Sequence, residues 1–516
     1  MLKKIVSLIL LIFILVPFIV SCKDGRIPPE TTETKQKNET IDTETENETD
    51  APAPPQYICA PIKIDGVAIT EYTVIYAEGS KYGKMSAELF ARELEEASGD
   101  VVNIASDTTA KGEYEILIGT TNRWSAETVS EYYAYKIQAV GSTLMFSGYD
   151  KYAVANAGLG LIDAFVAKNG EVSLDELNIS YSVPDRAEYI EDISKLYMRW
   201  SVEWEPDPRM LDFEIKKKAF SSYTNRLLTD AHRADSDFYP ENSIEAVISF
   251  YRMGGDVVEL DIRATKDNVL VLMHDETLSR TTNADSLKGT TVNGIALPDS
   301  VVLTDWTYEQ LMQLNLKEGN GGNTAKLTPF KIATLTEALK VCKDRMFIKP
   351  DKTDCWRIAD VKGVLDGNPN IFLYDCMKEA DNYDSIILGY GLEPIPAISL
   401  QKYIYENTGV VAYLLLRDFS QSPQTIYGVL KANAKPNSYA VQVNGQFVLN
   451  EEFYKTRYGD AYKYLKGKTM FAGWTIDNVT DNEYCWKKMY ELGYRMIMTN
   501  NSLDLVKYAA TTCGYN

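Results

Sequence analysis

The chain has 516 residues, which is too long for one ordinary hydrophobic core and predicts about three domains of roughly 150 residues each. Its 45% of hydrophobic residues supply enough apolar surface to offset the entropy of ordering, and this excludes wholesale disorder. The excess of 73 Asp and Glu over 53 Lys and Arg gives a formal net charge of -20, which disfavours non-specific binding to nucleic acid.

The first 22 residues have the pattern of an export signal. Lys3 and Lys4 precede an apolar run over residues 5–20 that is too short to span a bilayer as a stable helix. The run ends in Ile-Val-Ser-Cys, which resembles the lipobox of bacterial lipoproteins, where the signal is cleaved before a lipid-modified cysteine. An ordinary signal peptide with an accidental cysteine is the alternative. The resemblance implies a bacterial lipoprotein outside the cytoplasm, anchored to a membrane through acyl chains on Cys22.

Residues 23–56 contain almost no apolar residues and many Glu, Thr, Asn and Pro, so we predict a disordered acidic linker. The six cysteines beyond Cys22 show no C-x-x-C spacing, which disfavours a zinc site and leaves disulfides and buried free thiols both open. These cysteines are Cys59, Cys342, Cys355, Cys376, Cys485 and Cys513.

Residues 57–185 predict a small accessory α/β domain, and residues 186–220 a connector. The first region resembles the non-catalytic α/β domain found ahead of the catalytic barrel in some secreted glycosidases. It contains no cluster of acid, base and nucleophile, so we interpret it as a spacer or accessory domain. The elements predicted within it are strands at 72–77 and 114–119, helices at 84–97 and 152–166, and a hairpin over 133–141 and 144–148.

From residue 221 to the C-terminus, short β-branched runs alternate with helical segments, which is typical of repeated βα units. About 290 residues of this alternation predict a (β/α)8 barrel with its active site at the C-terminal ends of the strands. The sequence offers nine strand candidates, one more than the barrel contains, and we expect one of the middle candidates to be wrong. They are 227–231, 257–264, 269–274, 345–348, 385–388, 410–416, 439–443, 469–475 and 495–498.

Two histidines are the only ones in the chain, and each stands at the end of a predicted strand. They are His232 and His274. Between them, the alternation of the strand 257–264 places Glu259 and Asp261 on the same side. Because the C-terminal strand ends of a barrel meet at one rim, we expect both carboxylates and both imidazoles there. Paired carboxylates are suited to a hard divalent cation.

The segments DAHRADSDFYPENSIEA, VELDIRA and MHDETLSRTT, followed by LTDWTYEQLMQLNL and IATLTEAL, resemble the glycerophosphodiester phosphodiesterase family. The resemblance is close over residues 227–339 and weaker in the rest of the barrel, where it rests on residues 473–477 and 496–500. It implies acid–base catalysis by the two histidines, without saying which is acid and which is base. It also implies a phosphate contact at Arg233, metal ligands at Glu259 and Asp261, and pocket roles for Glu241, Asn242 and Trp474.

The chain departs from the family pattern at three places. Ala234 replaces the glycine that follows His-Arg, and Asn500 replaces the aspartate of Thr-Asp-x-Pro. On the fourth strand the family has Glu-x-Lys, whereas this chain has Lys349, Asp351 and Lys352 in the order Lys-Pro-Asp-Lys. Asp351 is therefore our candidate for the third metal ligand, and Lys349 or Lys352 for a phosphate contact.

The resemblance implies a phosphodiesterase that depends on Ca²⁺ or Mg²⁺ and hydrolyses glycerophosphodiesters or related lipid-derived or cell-surface phosphodiesters. Two alternatives stay open. One is a phospholipase C-like or sphingomyelinase D-like lyase, which cleaves by internal attack and leaves a cyclic phosphate. The other is a non-catalytic barrel that binds a surface ligand without turnover.

Overall fold

The computed structural model describes residues 57–197, 201–222, 225–351, 372–388, 394–417, 423–445, 452 and 459–512. The predicted signal, the linker, Cys355, Cys513 and Lys352 lie outside these residues. The chain divides into two compact units: one runs to Val129 and includes Ala134–Tyr181, and the other comprises Ser130–Tyr133 and residues from Ser182 onward. Within the described residues, no helix combines the length and apolarity needed to cross a bilayer.

The first unit is an α/β module with a six-stranded sheet of order β4-β3-β5-β7-β6-β9 and a three-stranded sheet of order β2-β1-β8. Its strands are β1 (Lys63–Ile64), β2 (Val67–Ala68), β3 (Thr73–Tyr76), β4 (Asn103–Ser106), β5 (Glu115–Ile118), β6 (Tyr135–Val140), β7 (Thr143–Gly148), β8 (Glu171–Val172) and β9 (Ile179–Tyr181). Its α-helices are α1 (Lys81–Ser98) and α2 (Lys151–Ala167).

Both helices of the first unit start at a side-chain cap. The Ser80 hydroxyl accepts the Gly83 N–H at 3.0 Å, and the Asp150 carboxylate accepts the N–H groups of Tyr152 and Ala153. Such caps satisfy donors that have no partner within the helix. The cap at Ser80 explains why α1 begins three residues before the predicted start at Lys84.

The second unit contains a closed barrel of parallel strands. The strands of this unit are β10 (Leu228–His232), β11 (Val257–Ala264), β12 (Leu270–Leu272), β13 (Thr291–Val292), β14 (Ile295–Ala296), β15 (Phe347–Asp351), β16 (Ile387–Leu388), β17 (Tyr413–Arg417), β18 (Tyr439–Asn444), β19 (Met470–Thr475) and β20 (Met496–Thr499). Its helices are α3 (Arg186–Glu191), α4 (Phe213–Ser222), α5 (Ile244–Arg252), α6 (Ala284–Leu287), α7 (Tyr308–Leu311), α8 (Leu335–Cys342), α9 (Phe372–Ala380), α10 (Pro394–Thr408), α11 (Pro423–Asn433), α12 (Asp460–Leu465), α13 (Glu483–Glu491) and α14 (Ser502–Thr512).

Eight strands form the barrel, in the order β10, β11, β15, β16, β17, β18, β19 and β20, with β20 pairing back to β10. A parallel bridge between Ile348 and Ile386 joins β15 to β16 and closes the ring. The prediction of a (β/α)8 barrel is therefore confirmed. Residues 186–220, which we predicted as a connector, fall in the second unit, where they include α3 and most of α4.

Of the nine predicted strands, 269–274 is the one that lies outside the barrel. We expected the surplus strand to lie in the middle of the nine, and this expectation is wrong. The observed strand β12 is antiparallel to the end of β11, with Leu272 opposite Ile262 and Leu270 opposite Ala264. The side chains of Leu270, Val271 and Leu272 are all buried, and this explains why the sequence of β12 is as apolar as that of a barrel strand. The turn over Lys266–Asn268 reverses the direction of the chain. Strand β12 therefore pairs with the end of β11 at the rim and is not one of the eight barrel strands.

The floor of the barrel is apolar and is covered by α4. The first inward residues of the strands form one cluster with Phe213, Ala219 and Phe220 of that helix. Phe213 lies 5.1 Å from Phe347, and Phe220 lies 4.7 Å from Tyr413, between ring centroids. The N-terminal end of the barrel is thus closed by hydrocarbon, and polar chemistry is left to the opposite end.

Candidate functional site

Alternation along the strands carries polar side chains to the C-terminal rim. In β11 the inward positions after the apolar Val257 are Glu259 and Asp261, and in β15 the inward positions after Phe347 are Lys349 and Asp351. The register places Glu259 beside Lys349 and Asp261 beside Asp351. The sequence pattern of two adjacent strands therefore converges on one acidic patch.

Glu259, Asp261 and Asp351 lie close enough to share one ligand. Each offers one carboxylate oxygen, and these oxygens lie within 4.8 Å of one another. Glu259 and Asp261 are buried, with relative exposures of 0% and 1%, whereas Asp351 is half-buried. Hence the swapped order on β15, the third strand of the barrel, still brings a third carboxylate to the group.

The acidic group is electrostatically unfavourable as it stands. Burial, followed by repulsion from Asp261 and Asp351, raises the pKa of Glu259 well above its usual range. Burial also raises the pKa of Asp261, although the nearby Arg233 opposes this. Within the described part of the chain, the buried Oε1 of Glu259 has no hydrogen-bond partner. An orphaned carboxylate oxygen among three converging carboxylates fits a hard divalent cation with oxygen ligands.

Lys349 has a different environment from the one we predicted. It is fully buried below the acidic group, where its ammonium donates to Asp230 of β10 and contacts the Met498 sulfur at 3.2 Å. The ammonium offsets the charge of Asp230, and the phosphate contact at Lys349 stays a prediction. The other candidate for that contact, Lys352, lies outside the described residues.

The substitution Lys349→Ala should lower the free energy of unfolding by about 3–5 kcal/mol, because it leaves the buried carboxylate of Asp230 without its counter-charge. The change is measured by urea-induced unfolding. Lys343→Ala is the matched control, since Lys343 pairs with Asp381 at the surface and such pairs contribute at most about 1 kcal/mol. A loss as small as the control's would show that the buried pair does not stabilise the barrel.

The hydrogen bonds of His232 fix its tautomer. Its Nδ1 lies 2.7 Å from the Asn500 Oδ1, while the Asn500 Nδ2 donates to the Ile476 carbonyl at 2.9 Å. This second bond orients the amide, so its oxygen faces the ring and Nδ1 must carry the proton. Burial, followed by the charge of Arg233, lowers the pKa of His232 to about 3. His232 is therefore a neutral imidazole with an unprotonated Nε2.

His274 has the opposite kind of partner. It follows β12 by two residues, and its Nδ1 lies 2.6 Å from the Asp275 carboxylate. Arg280 also donates to Asp275 and is the main reason that the pKa of this carboxylate is held well below its usual range. An ionised carboxylate can only accept hydrogen bonds, so Nδ1 of His274 carries a proton and donates to Asp275. His274 influences the pKa of both His232 and Asp261, which places all three in one site.

Glu241 and Arg233 form the side of the site next to the acidic group. The Glu241 carboxylate accepts from Arg233 at 3.0 Å and from both terminal nitrogens of Arg280, at 2.7 and 2.9 Å. Arg233 in turn lies 3.3 Å from Asp261, and its backbone N–H donates to Glu259 at 3.0 Å. The two guanidinium groups therefore offset the excess of negative charge at the rim.

The turn after β10 depends on left-handed backbone conformations. Arg233 and Ala234 have φ values of 61° and 66°, so Ala234 adopts the conformation for which the family uses glycine. Asn242 also has a positive φ, of 57°, and exchanges two hydrogen bonds with Asp261, one to its carboxylate and one from its N–H. Helix α5 is capped by Ser243 instead, so Asn242 is left to hold Asp261 in place.

Trp474 lies at the same rim. It is the third inward residue of β19 after Met470 and Ala472, and in the register of the sheet it stands opposite Met498 of β20. The side chain is half-buried. It can therefore form an apolar wall of the pocket beside the strand that leads to Asn500.

Three residues of the site were missed by reasoning from the sequence. Asp230 lies two positions before His232, so strand alternation could have placed it inside the barrel. Asp275 and Arg280 lie on the irregular segment after His274, where no periodicity indicates direction. Only the folded chain shows that Arg280 connects Glu241 to Asp275.

Residues 232–355 match the Glycerophosphoryl diester phosphodiesterase family. A Glycerophosphodiester phosphodiesterase of Caldanaerobacter subterraneus subsp. tengcongensis is 34% identical over 125 residues, which are 24% of this chain and 43% of the relative. Glycerophosphodiester phosphodiesterase 1 of Homo sapiens is 32% identical over 139 residues, 27% of this chain and 36% of the relative. The match thus spans less than half the length of either relative.

Among solved structures, a Glycerophosphoryl diester phosphodiesterase from Parabacteroides distasonis aligns with 59% of this chain and 94% of its own, at 17% sequence identity and a TM-score of 0.43. The family match begins at His232, the last residue of β10, and contains β11 and β15 together with both histidines and all three carboxylates of the acidic group. Over residues 232–355 of its C-terminal unit, the chain is therefore similar to the glycerophosphoryl diester phosphodiesterase family.

Proposed function

We propose that this protein is a metal-dependent phosphodiesterase that hydrolyses glycerophosphodiesters or related cell-surface phosphodiesters. One observation carries the proposal: His232 and His274 share a rim with three carboxylates, and their Nδ1 atoms have partners of opposite character, an amide and a carboxylate. A pair of imidazoles with different Nδ1 partners can supply the base and the acid that ester hydrolysis needs.

His232 is suited to be the general base. Its unprotonated Nε2 can accept a proton from the attacking hydroxyl, which is either water or a hydroxyl of the substrate. His274 is suited to be the general acid, because the Asp275 carboxylate beside Nδ1 offsets the positive charge of the imidazolium that donates from Nε2 to the departing alkoxide. Each proton transfer of this kind contributes about 10²- to 10⁴-fold to the rate.

Phosphoryl oxygens carry negative charge throughout the reaction and need positive groups nearby. Arg233 is held at the rim by Glu241 and Asp261, with its guanidinium beside the acidic group. A Ca²⁺ or Mg²⁺ ion held by Glu259, Asp261 and Asp351 would supply further charge neutralisation at these oxygens. Arg233 is therefore the protein's own contact for the phosphate.

The test of this function is an assay of several phosphodiesters, with glycerophosphocholine and glycerophosphoglycerol among them, followed by identification of the products. A monoester product supports hydrolysis, whereas an accumulating cyclic phosphate indicates the lyase alternative. No turnover on any substrate at saturating Ca²⁺ or Mg²⁺, together with binding of the same diesters, indicates a non-catalytic barrel. We also propose that the protein acts outside the cytoplasm, on the basis of the signal and Cys22.

The substitution Asn500→Asp should raise the pKa of His232 by about 1 to 3 pH units, because a carboxylate at Nδ1 stabilises the imidazolium form. The chain has two histidines, so ¹³C-histidine NMR can follow the His232 ring directly, with His274→Ala assigning its signal. In the unsubstituted protein the pKa of His232 is lowered to about 3. An enzyme loses the activity of a general base only when the pH falls below the pKa of that base. As the pH falls, the variant should therefore lose activity at a higher pH than the unsubstituted protein does.

The control for Asn500→Asp is Asn478→Asp, which adds the same charge at an exposed position near the rim. This control should leave the His232 titration in place. An unchanged His232 titration in Asn500→Asp would contradict the assigned hydrogen bond.

A further inference from the structure

Four residues of the second unit come from within the sequence of the first. These residues, Ser130–Tyr133, will be called the tyrosine clip. Tyr133 is fully buried, and its ring centroid lies 5.3, 5.4 and 5.7 Å from those of Tyr197, Tyr239 and Phe330. Its hydroxyl donates to the Phe238 carbonyl at 2.7 Å. Tyr133 has a φ of 61°, which a bulky residue rarely adopts, so these contacts hold the clip in a conformation it would not otherwise keep.

The neighbouring residue of the clip contacts a loop at the rim of the barrel. The Tyr132 hydroxyl donates to the Glu318 carboxylate, and the Tyr132 ring packs edge-on against Phe330 at 6.2 Å. Glu318 begins the segment Glu-Gly-Asn-Gly-Gly over residues 318–322, which will be called the glycine loop. With 9% exposure, Tyr132 is enclosed, whereas its acceptor Glu318 is half-buried.

The glycine loop wraps around Arg280. The Arg280 guanidinium donates to the Asn320 carbonyl, and the Gly322 N–H donates to the Arg280 carbonyl at 2.7 Å. Gly321 has a φ of 71°, and a Cβ there would lie 2.3 Å from the Arg280 carbonyl oxygen. The Gly319 carbonyl accepts the Glu241 N–H at 2.9 Å. The loop thus contacts both Arg280 and Glu241 through its backbone.

Arg280 connects the glycine loop to His274 and Arg233. Its Nε donates to Asp275 at 2.7 Å, and Asp275 orients the His274 ring through Nδ1. Its terminal nitrogens hold Glu241, which holds Arg233. An uninterrupted series of contacts therefore runs from the Tyr132 hydroxyl through Glu318 and Arg280 to the candidate acid.

We infer that Tyr132 is a positioning residue for His274, acting through the glycine loop and Arg280. The inference rests on the proposed function for its effect on rate, and on the loop contacts alone for its effect on structure. A general acid must lie within hydrogen-bond reach of the leaving oxygen, and displacement of a catalytic group by about 1 Å can cost as much as 10²-fold in rate. Tyr132 touches neither substrate nor reacting atoms in this scheme.

The test compares Tyr132→Phe with the unsubstituted full-length chain. The variant should lower kcat by roughly 10-fold, with about 10²-fold as the upper limit, and change KM less, because the acid acts after binding. Amide hydrogen exchange at Gly321 and Gly322 should become faster, since their N–H groups donate to the Glu318 and Arg280 carbonyls. Tyr484→Phe, at a 61% exposed position, is the matched control and should change neither quantity.

Two variants of the acceptor sharpen the test. Glu318→Gln keeps an oxygen that can accept from Tyr132 and should retain most of the rate. Glu318→Ala should reproduce the loss of Tyr132→Phe, and the double variant should lose no more than either alone, since both remove one hydrogen bond. Additive losses, or faster exchange without a fall in kcat, would overturn the inference. If the unsubstituted protein has no diesterase activity, the proposed function fails. The contact between Tyr132 and Glu318 can still be tested in that case, because unchanged amide exchange at Gly321 and Gly322 in Tyr132→Phe would refute its effect on the loop.

Discussion

His232→Ala and His274→Ala should each lower kcat by about 10²- to 10⁴-fold on a glycerophosphodiester, with the fold retained. The two losses have different causes, because His232 is assigned as base and His274 as acid. A diester with a 4-nitrophenyl leaving group separates them, since 4-nitrophenolate departs without protonation. On that substrate His274→Ala should recover most of its rate, whereas His232→Ala should not.

Steady-state assays on both substrates measure this effect, and thermal unfolding checks that each variant is folded. Asn478→Ala, at an exposed loop position, controls for the substitution itself. Recovery of His232→Ala in place of His274→Ala would reverse the assignment. If both variants keep full activity, the two imidazoles are not the catalytic groups.

Removal of divalent cations with a chelator should abolish activity, and added Ca²⁺ or Mg²⁺ should restore it. The reason is the cluster of Glu259, Asp261 and Asp351, whose buried charges repel one another without a counter-ion. Cation binding should also raise the melting temperature, since it favours the folded state that brings the carboxylates together. Full activity after exhaustive chelation would contradict the metal site.

Asp351→Asn tests the most divergent part of the motif. It should weaken cation affinity by at least the 10- to 100-fold that follows loss of an outer-shell partner, because it removes a charged ligand. Isothermal titration calorimetry on the chelated protein measures the Kd directly, without reference to turnover. Asp285→Asn, an exposed carboxylate on α6, is the matched control. Equal affinity in Asp351→Asn and the control would place the third ligand elsewhere.

Strand β15 carries its lysine and its carboxylate in swapped order and still brings Asp351 to the acidic group. The pairing of β11 with β15 sets Lys349 beside Glu259 and Asp351 beside Asp261. Lys349 then turns to Asp230 and leaves the rim to Asp351. The number of carboxylates near the rim is kept, although their spacing along the strand differs from Glu-x-Lys.

The sequence by itself determined the barrel and the acidic pair. Strand alternation has a period of two, so the apolar Val258 and Leu260 already require Glu259 and Asp261 to face the other way. The scarcity of histidine, with two in the whole chain, directed attention to His232 and His274 without any coordinates. These features are local, and local patterns can be recognised before the fold is known.

Tertiary structure alone decided the partners of these groups. Whether β12 joins the barrel depends on which strand it pairs with, and whether Lys349 meets phosphate or Asp230 depends on the neighbouring strand. The Nδ1 partners of the histidines, and the route from Tyr132 to Arg280, join residues far apart in sequence. Periodicity reports which face of an element is buried, but it carries no information about what lies across the core, because that is set by how the whole ring of strands closes.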